Sequence, residues 1–222
     1  MAAPTTNRSP AGKRRYGGVS PAERLRLRRQ KLLEGGLEVF GTKGFHAATV
    51  REICAAARLT ERYFYESFKT LQELFLAVYA DLRDQLMALE LEAIGTDEAS
   101  PLDKLEPALR AFLEFIRDDP RRGRVMLIDV VGVNAEVANA SDAAARNYSS
   151  ILKERLLRLF PEGHSPDISV ALLADGMIGL NVMLAARWMQ NGFAEPIDKV
   201  VATNVLPYRG LLELQSGGHP AS

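Results

Sequence analysis

Residues 49–69 read TVREICAAARLTERYFYESFK, and this stretch decides the fold of the chain. The apolar residues of its first half recur at i, i+3, i+4 and i+7, the spacing of one helix face. They are Val50, Ile53, Cys54 and Ala57. Thr49 and Glu52 are spaced as a capping box, so the first short helix is predicted to begin at Thr49.

A second short helix is predicted to begin at Thr60, a favourable N-cap residue. Phe64 and Phe68 lie four residues apart and therefore share one side of it. The other sides carry polar and phenolic groups, namely Glu61, Arg62, Tyr63 and Tyr65. Two helices joined by about three residues are typical of a helix-turn-helix, whose second helix enters a DNA major groove. The same pattern occurs in helical proteins that do not bind DNA, so its context decides between the two.

The distribution of charge favours a nucleic-acid partner. The 222 residues are 47% hydrophobic and carry a formal net charge of +0, which fits a globular protein with a substantial core. Residues 1–70 contain 14 Lys and Arg against 6 Asp and Glu, whereas the remainder contains 14 against 22. The N-terminal third is thus basic (+8) and the rest acidic (−8).

The cellular compartment is predicted from three negative observations. The single cysteine, Cys54, rules out an intramolecular disulfide. The first 20 residues lack the apolar segment of a secretory signal. The longest apolar run, residues 168–186, is interrupted by polar residues, which argues against a transmembrane helix. We therefore expect a cytoplasmic protein that does not enter a membrane.

Upstream of the central stretch, residues 1–19 are rich in Pro, Gly, Ser and basic residues and are predicted to form a flexible basic arm. Such an arm lies along DNA phosphates or in a minor groove, or it only aids solubility. Ser20-Pro21-Ala22-Glu23 then marks a helix start. Its predicted buried stripe consists of Leu25, Leu32, Leu33, Leu37 and Phe40. Its basic face consists of Arg24, Arg26, Arg28, Arg29 and Lys31. Gly41 to Gly44 ends the helix.

Downstream, Thr70 and Glu73 mark the start of a fourth, longer helix that runs to about Ile94. Later starts are predicted at Ser100-Pro101, Asp119-Pro120, Ser165-Pro166 and Glu195-Pro196, with another helix over about residues 134–159. No alternating strand pattern with hairpin signals is present. The sequence therefore predicts an all-α protein of about nine helices. Its predicted parts are the arm (1–19), a helix-turn-helix domain (20–70), a ligand-binding and dimerisation domain (71–214) and a frayed tail (215–222).

The central stretch resembles the tetracycline-repressor (TetR/AcrR) family of bacterial transcriptional regulators over about residues 21–80. The resemblance is carried by Gly44-Phe45, Thr49-Val50, Ile53, Ala57, Leu59-Thr60, Phe64-Tyr65, Phe68 and Leu74. It implies that three N-terminal helices bind double-stranded DNA and that the remainder binds a small-molecule effector and forms a homodimer. Most members of the family repress transcription until the effector binds.

Applied position by position, the resemblance implies a set of DNA-contacting residues. Thr49 would contact a phosphate at a helix N-terminus, and Arg51 would lie near base edges. The second helix would direct Glu61, Arg62 and Tyr63 toward bases and Tyr65 toward a phosphate. Arg62 can donate two hydrogen bonds to guanine, worth about 1–3 kcal/mol of discrimination. The set is completed by Thr60 and Lys69.

Three residues depart from the family pattern. Arg58 replaces the usual glycine of the turn, so that it either adopts a left-handed conformation at a cost of about 1 kcal/mol or changes the turn. Tyr63 is bulkier than the usual residue. Leu71 replaces a frequent lysine, whose phosphate contact is then either missing or made by Lys69.

An enzyme is not predicted, because the nucleotide-binding, zinc-protease and hydrolase motifs are absent and the three histidines are isolated. We accordingly expect no metal and no cofactor. The remaining alternative is an all-helical adaptor protein whose basic N-terminal face binds an acidic partner.

The expected ligand pocket is apolar with a few polar groups. Its predicted residues are Met87, Leu91, Phe112, Phe115, Met126, Val130, Tyr148, Met177 and Trp188. The last two long helices, about residues 166–190 and 196–214, are predicted to pair with a second copy of the chain, and small residues would permit close approach. These are Ala171, Ala174, Gly179 and Ala186. The sequence thus predicts a ligand-responsive, homodimeric DNA-binding regulator. It is expected to be a repressor that a small apolar molecule releases from a palindromic operator.

Overall fold

The computed structural model describes residues 20–95, 101–133, 135–159 and 169–217, and it is all-helical over these residues. The predicted arm, the Ser165-Pro166 start and the last five residues lie outside the described residues. The helices are α1 (Pro21–Lys43), α2 (Val50–Ala57), α3 (Glu61–Ser67), α4 (Leu71–Ile94), α5 (Pro101–Asp118), α6 (Pro120–Gly123), α7 (Val130–Gly132), α8 (Ala135–Leu159), α9 (Val170–Gln190) and α10 (Ile197–Gly217).

A 3-10 turn, Phe45–Ala47, precedes α2, and a π-helical segment, Arg124–Asp129, joins α6 to α7. Counted as one stretch, α6, the π-helical segment and α7 bring the described part to nine helices, which confirms the predicted number and the all-α class.

The predicted helix starts are confirmed where side chains cap the backbone. Ser20 Oγ accepts a hydrogen bond from the Glu23 backbone N–H at 3.1 Å. Thr49 and Glu52 form both halves of a capping box. Thr70 Oγ1 accepts from the backbone N–H of Glu73 at 3.1 Å, so α4 begins at the expected place and ends at Ile94. Local hydrogen bonds of this kind satisfy N–H groups that a helix start otherwise leaves unpaired.

The first four helices share one apolar core. Phe40, Phe64 and Phe75 are fully buried in it, and the rings of Phe40 and Phe75 lie 5.2 Å apart edge to face. The prediction that Leu25 belongs to this core is wrong, because Leu25 is 46% exposed. Residues 20–27 are exposed on every side, so α1 extends beyond its neighbours before its first buried residue, Leu32.

The C-terminal helices pack around two further apolar clusters. One cluster joins α5 to the ends of α9 and α10, and the other joins α8, α9 and α10. In the described chain α9 begins at Val170, where the Ser169 side chain accepts a hydrogen bond from the Leu172 backbone N–H at 3.4 Å. The last helix continues to Gly217, three residues into the predicted tail. By length and composition α9 could cross a membrane, with a mean hydropathy of 1.5 in its most apolar window.

Candidate nucleic-acid interface

Helix α3 is anchored on one side and open on the other. Phe64 and Phe68 are 0% and 1% exposed, so they fix the helix against the N-terminal core. On the opposite side, the Arg62 side chain is 83% exposed and Tyr65 is 59% exposed. Glu61 and Thr60 are exposed as well, and the Thr60 side chain makes no cap hydrogen bond. The helix therefore presents a row of polar groups that project away from the protein.

The turn that orients α3 depends on Arg58. This residue ends α2 with φ 54° and ψ 42°, the left-handed conformation that glycine adopts most easily. Its backbone N–H donates to the carbonyls of Cys54 and Ala55. Of the two alternatives stated for Arg58, the structure adopts the left-handed one, at a cost of about 1 kcal/mol.

The start of α2 is already bound to a carboxylate. The Thr49 hydroxyl donates to Glu52 Oε2 at 2.9 Å, and the Thr49 backbone N–H donates to the same oxygen at 3.2 Å. Lys43 forms an ion pair with the other oxygen of Glu52, and the Lys43 and Thr49 bonds hold the pKa of Glu52 below its usual value. A DNA phosphate at this helix end would compete with Glu52 for Thr49. Arg51, two residues after Thr49, is exposed.

Two arginines of α1 brace α3 from behind. The Arg28 guanidinium lies 4.3 Å from the centre of the Tyr63 ring, and the Arg29 guanidinium lies 4.3 Å from that of Phe68. Arg29 also donates to the Ser67 carbonyl at 3.4 Å. Tyr63, predicted to face bases, is half-buried under Arg28 rather than fully exposed. The large Tyr63 ring, which departs from the family pattern, therefore packs against α1.

Glu66 holds Arg62, a pairing absent from our sequence predictions. Arg62 Nε donates to Glu66 Oε1 at 3.1 Å. The i, i+4 spacing of Arg62 and Glu66 was the available signal.

Lys69 and Leu71 lie at the junction of α3 and α4. The Lys69 side chain is exposed, and its backbone N–H donates to Glu73 Oε2 at 2.7 Å. Leu71 packs partly against the N-terminal core. Lys69 is thus an exposed cation two residues before Leu71.

A polar joint connects these helices to the C-terminal part. The Asp129 carboxylate accepts from the Phe45 backbone N–H at 3.1 Å, and a ring nitrogen of His46 lies 3.1 Å from the Gly132 carbonyl. Arg124 donates to the Thr42 carbonyl at 3.0 Å. Phe45 and His46 belong to the 3-10 turn that precedes α2, so the π-helical segment and α7 contact the chain shortly before the helix-turn-helix. We call this set of contacts the joint.

A second polar contact extends the joint along α1. Arg121 pairs with Glu38 of α1 and with Asp119, whose Oδ2 lies 2.8 Å from Arg121 Nη2. The hydrogen bond from Arg121 holds the pKa of Asp119 below its usual value. No local sequence pattern signals the contact of Phe45 with Asp129 or that of Glu38 with Arg121, because each joins residues more than 80 positions apart.

Six of the nine predicted ligand-pocket residues lie in three apolar clusters of the described chain. Phe115 and Val130 are buried in the N-terminal core, and Phe112 and Met126 pack against it. Met177 and Trp188 belong to the two other clusters.

The other three predicted pocket residues, Met87, Leu91 and Tyr148, lie on α4 and α8. The Tyr148 hydroxyl donates to Glu90 Oε2 at 3.0 Å across α4 and α8. Met87 is half-buried, and Leu91 is 64% exposed on α4.

A cleft of about 420 Å³ lies between α4 and α5. Its lining includes Phe115, Arg122 and three carboxylates, those of Glu92, Glu114 and Asp118. This acidic lining differs from the apolar pocket expected, and Phe115 is the predicted residue that it shares. No group of three or more His, Cys, Asp or Glu side chains in the described residues could hold a metal ion.

An exposed recognition-type helix on a basic helical support defines a helix-turn-helix DNA-binding protein. Residues 32–78 match the family described as bacterial regulatory proteins, tetR family. The chain is 29% identical to the transcriptional activator FasR of Mycolicibacterium smegmatis over 86% of this chain and 83% of FasR. Residues 32–78 are thus similar to tetR-family regulators, and the chain is a DNA-binding transcriptional regulator.

Two solved structures illustrate the shared fold. A transcriptional regulator from Pseudomonas aeruginosa PAO1 superposes with a TM-score of 0.72 and 21% identity, over 93% of this chain and 99% of that one. FadR of Bacillus subtilis, solved in complex with stearoyl-CoA, superposes with a TM-score of 0.68 and 19% identity, over 86% of this chain and 99% of FadR.

Proposed function

We propose that this protein represses transcription as a homodimer whose two α3 helices read a two-fold symmetric operator. The observation that carries the proposal is the exposed Arg62 on a helix that Phe64 and Phe68 fix from the other side. A rigid helix with an exposed arginine suits the major groove, where arginine contacts guanine. The proposed DNA contacts are Thr49, Arg51, Thr60, Glu61, Arg62, Tyr63, Tyr65 and Lys69. The dimer acts on DNA, and we place it in the cytoplasm.

The exposed side of α9 supports a dimer. Leu172 and Met183 are 72% and 62% exposed, and Gly176 and Gly179 lie between them on the same stripe. A Cβ added at either glycine would have no neighbour within 4 Å among the described residues. Only 22% of the apolar window of α9 is buried in one copy, so a large apolar surface is left for a second. Of the small residues predicted for this contact, Ala174 packs inside its own chain.

The proposed effector carries an acyl chain, as a long-chain acyl-CoA does. FadR of Bacillus subtilis was solved with stearoyl-CoA, and this chain shares its fold. The helices between the N-terminal core and α10 contain many aromatic and aliphatic side chains, including Phe112, Met126 and Val130. An apolar ligand among these helices would displace contacts that also support α6 and α7.

The joint offers a route from the effector to the operator. A shift of the π-helical segment would move Asp129 and therefore the Phe45 backbone that it holds. π-Helical segments are rare and frequently occur at functional sites. Because Phe45 lies five residues before Val50, such a movement would change the spacing or angle of α2 and α3 relative to the partner's pair.

A second direction of regulation is an activator. The relative FasR is named a transcriptional activator, and both directions are compatible with the same operator-binding head. A reporter gene placed behind the operator distinguishes them. Deletion of the regulator raises expression under the proposed repression and lowers it under activation.

The experiment that tests the proposal combines DNA selection with effector titration. Full-length protein is used to select fragments from its genome, and fluorescence anisotropy then gives Kd for the selected operator. We expect stearoyl-CoA to weaken operator binding at least about fivefold, a typical allosteric coupling, while free CoA has no effect. An operator affinity unchanged by acyl-CoA would exclude this effector class, and failure to select any DNA would exclude the proposed function.

A further inference from the structure

Glu66 is held between two arginines from two different helices. Its Oε1 accepts from Arg62 Nε at 3.1 Å within α3, and its Oε2 lies 3.5 Å from Arg28 Nη1 of α1. Both carboxylate oxygens are thus engaged. This arrangement fixes the direction of the Glu66 side chain and, through it, that of Arg62.

The α1 side of this arrangement is itself constrained. Arg28 Nε donates to the Arg24 carbonyl at 3.3 Å, and the Arg28 guanidinium stacks on the Tyr63 ring at 4.3 Å. The Arg28 side chain is 27% exposed, far less than the 83% of Arg62. Glu66 therefore links the exposed Arg62 side chain to the packed Arg28 side chain and restrains it.

The bond to Glu66 uses Nε of Arg62 and leaves its two Nη groups available for DNA. Bidentate recognition of guanine uses two donors of the planar guanidinium, and its two Nη groups point away from Nε. A flexible arginine must lose rotamer freedom when it binds a base, and a preoriented one loses less.

We propose that Glu66 is a positioning residue that sets how strictly Arg62 discriminates its base pair. The inference rests on the proposed function, because it assumes that α3 reads DNA. Glu66 also places a negative charge beside the phosphates, which weakens binding to any DNA sequence. Its two effects together raise the ratio of specific to non-specific binding.

Four variants separate the position of the carboxylate from its charge. Glu66→Ala removes both the carboxylate and its contacts. Glu66→Asp keeps the charge but withdraws it by one methylene, so that it no longer reaches Arg62 and Arg28 together. Arg62→Ala identifies the base pair that Arg62 reads. Glu34→Ala is the control, because it removes an exposed carboxylate of α1. All the pairs are at the surface, so we expect every variant to fold, which circular dichroism checks.

The measurement is Kd for the selected operator and for each single base-pair change in it. We expect Glu66→Ala and Glu66→Asp to lower discrimination about threefold to tenfold at the base pair identified by Arg62→Ala, and nowhere else. Only Glu66→Ala should also raise affinity for random DNA. In the Arg62→Ala background, Glu66→Ala should cause no further loss of discrimination, and Glu34→Ala should leave discrimination unchanged.

The outcomes distinguish the inference from the function beneath it. If Arg62→Ala loses discrimination and both Glu66 variants keep it, the positioning role is wrong and the reading helix stands. If Glu66→Asp keeps discrimination and Glu66→Ala loses it, charge rather than position is responsible, and the inference is again wrong. If no operator is selected by the wild-type protein, the proposed function itself fails.

Discussion

The Asp129 carboxylate accepts a hydrogen bond from the backbone N–H of Phe45 at 3.1 Å, across 84 residues of sequence. Asp129 is 13% exposed at its side chain, and its other oxygen lies 3.7 Å from Arg124 Nε. Through this contact, a helix that belongs to the C-terminal part holds the backbone immediately before α2. This hydrogen bond therefore connects the π-helical segment directly to the backbone ahead of α2.

Asp129→Ala should therefore weaken both stability and response. Loss of a partly buried, charge-assisted hydrogen bond should lower the free energy of unfolding by about 1.5–3 kcal/mol. Asp118→Ala is the control, because Asp118 forms an exposed pair with its neighbour Arg117 and should cost less than about 0.5 kcal/mol. Urea unfolding at fixed protein concentration measures both. If Asp129→Ala retains the wild-type response of operator binding to acyl-CoA, the joint does not carry the signal.

Gly44→Ala tests the fit of the joint from the other side. Gly44 has φ +87°, and a Cβ there would lie 2.7 Å from Arg124 Nη2. Backbone strain of about 1–3 kcal/mol should add to the cost of displacing Arg124 from the Thr42 carbonyl. Gly192→Ala has a similar φ, +66°, but meets no atom within 4 Å in the described structure. The difference in unfolding free energy between the two variants reports the contact with Arg124. Equal losses of unfolding free energy in the two variants would show that Arg124 moves aside at no energetic cost.

The raised pKa of Glu90 predicts that the stability of the protein depends on pH. Burial raises the pKa of Glu90 to about 7, against the hydrogen bond from Tyr148, which lowers it. The folded protein then binds more protons than the unfolded chain between about pH 4.5 and pH 7. Stability from this group is therefore present at low pH and lost as pH rises to about 7, by at most about 3 kcal/mol.

Removal of the charge should remove this loss. Glu90→Gln is expected to be more stable than the wild type at pH 8, and to show little advantage at pH 5. Glu92→Gln, on an exposed part of the same helix, should change stability by less than about 0.5 kcal/mol at both values. Urea unfolding at pH 5 and pH 8 provides the comparison. A wild-type difference that persists in Glu90→Gln would assign the pH dependence to another group.

Met183→Glu tests the proposed interface on α9. A charge on this apolar stripe should produce monomers and abolish operator binding at nanomolar protein concentration, because a single reading head holds only half of the contacts. Leu91→Glu is a matched control, since Leu91 of α4 is 64% exposed and Met183 is 62% exposed. Analytical ultracentrifugation gives the mass of each. A dimeric Met183→Glu protein would place the interface elsewhere.

The sequence predicted best what local chemistry determines. Ser20, Thr49 and Thr70 mark helix starts because each binds a backbone group three residues away. Leu25 was assigned to the core wrongly, because periodicity identifies an apolar face but not where neighbouring helices begin to cover it.

Contacts between distant residues were beyond sequence reasoning. The joint pairs Phe45 with Asp129 and His46 with Gly132, and neither pair has a spacing rule that announces it. Glu66 was accessible in part, since its spacing from Arg62 fits a helical ion pair, but the contribution of Arg28 comes from another helix. The DNA contacts and the ligand pocket stay predictions, and six of the nine pocket residues are spread over three clusters.

The most direct test of the central claim is a binding measurement between full-length protein and its selected operator, with Arg62→Ala alongside. We predict a two-fold symmetric footprint with half-sites one helical turn, or a multiple of it, apart. We expect Kd between about 10⁻⁸ and 10⁻¹¹ M and at least about a thousandfold preference over random DNA. Arg62→Ala should lose about tenfold or more of that preference. Equal binding to operator and random DNA, or an Arg62→Ala protein with unchanged preference, would contradict the assignment of α3 as the reading helix.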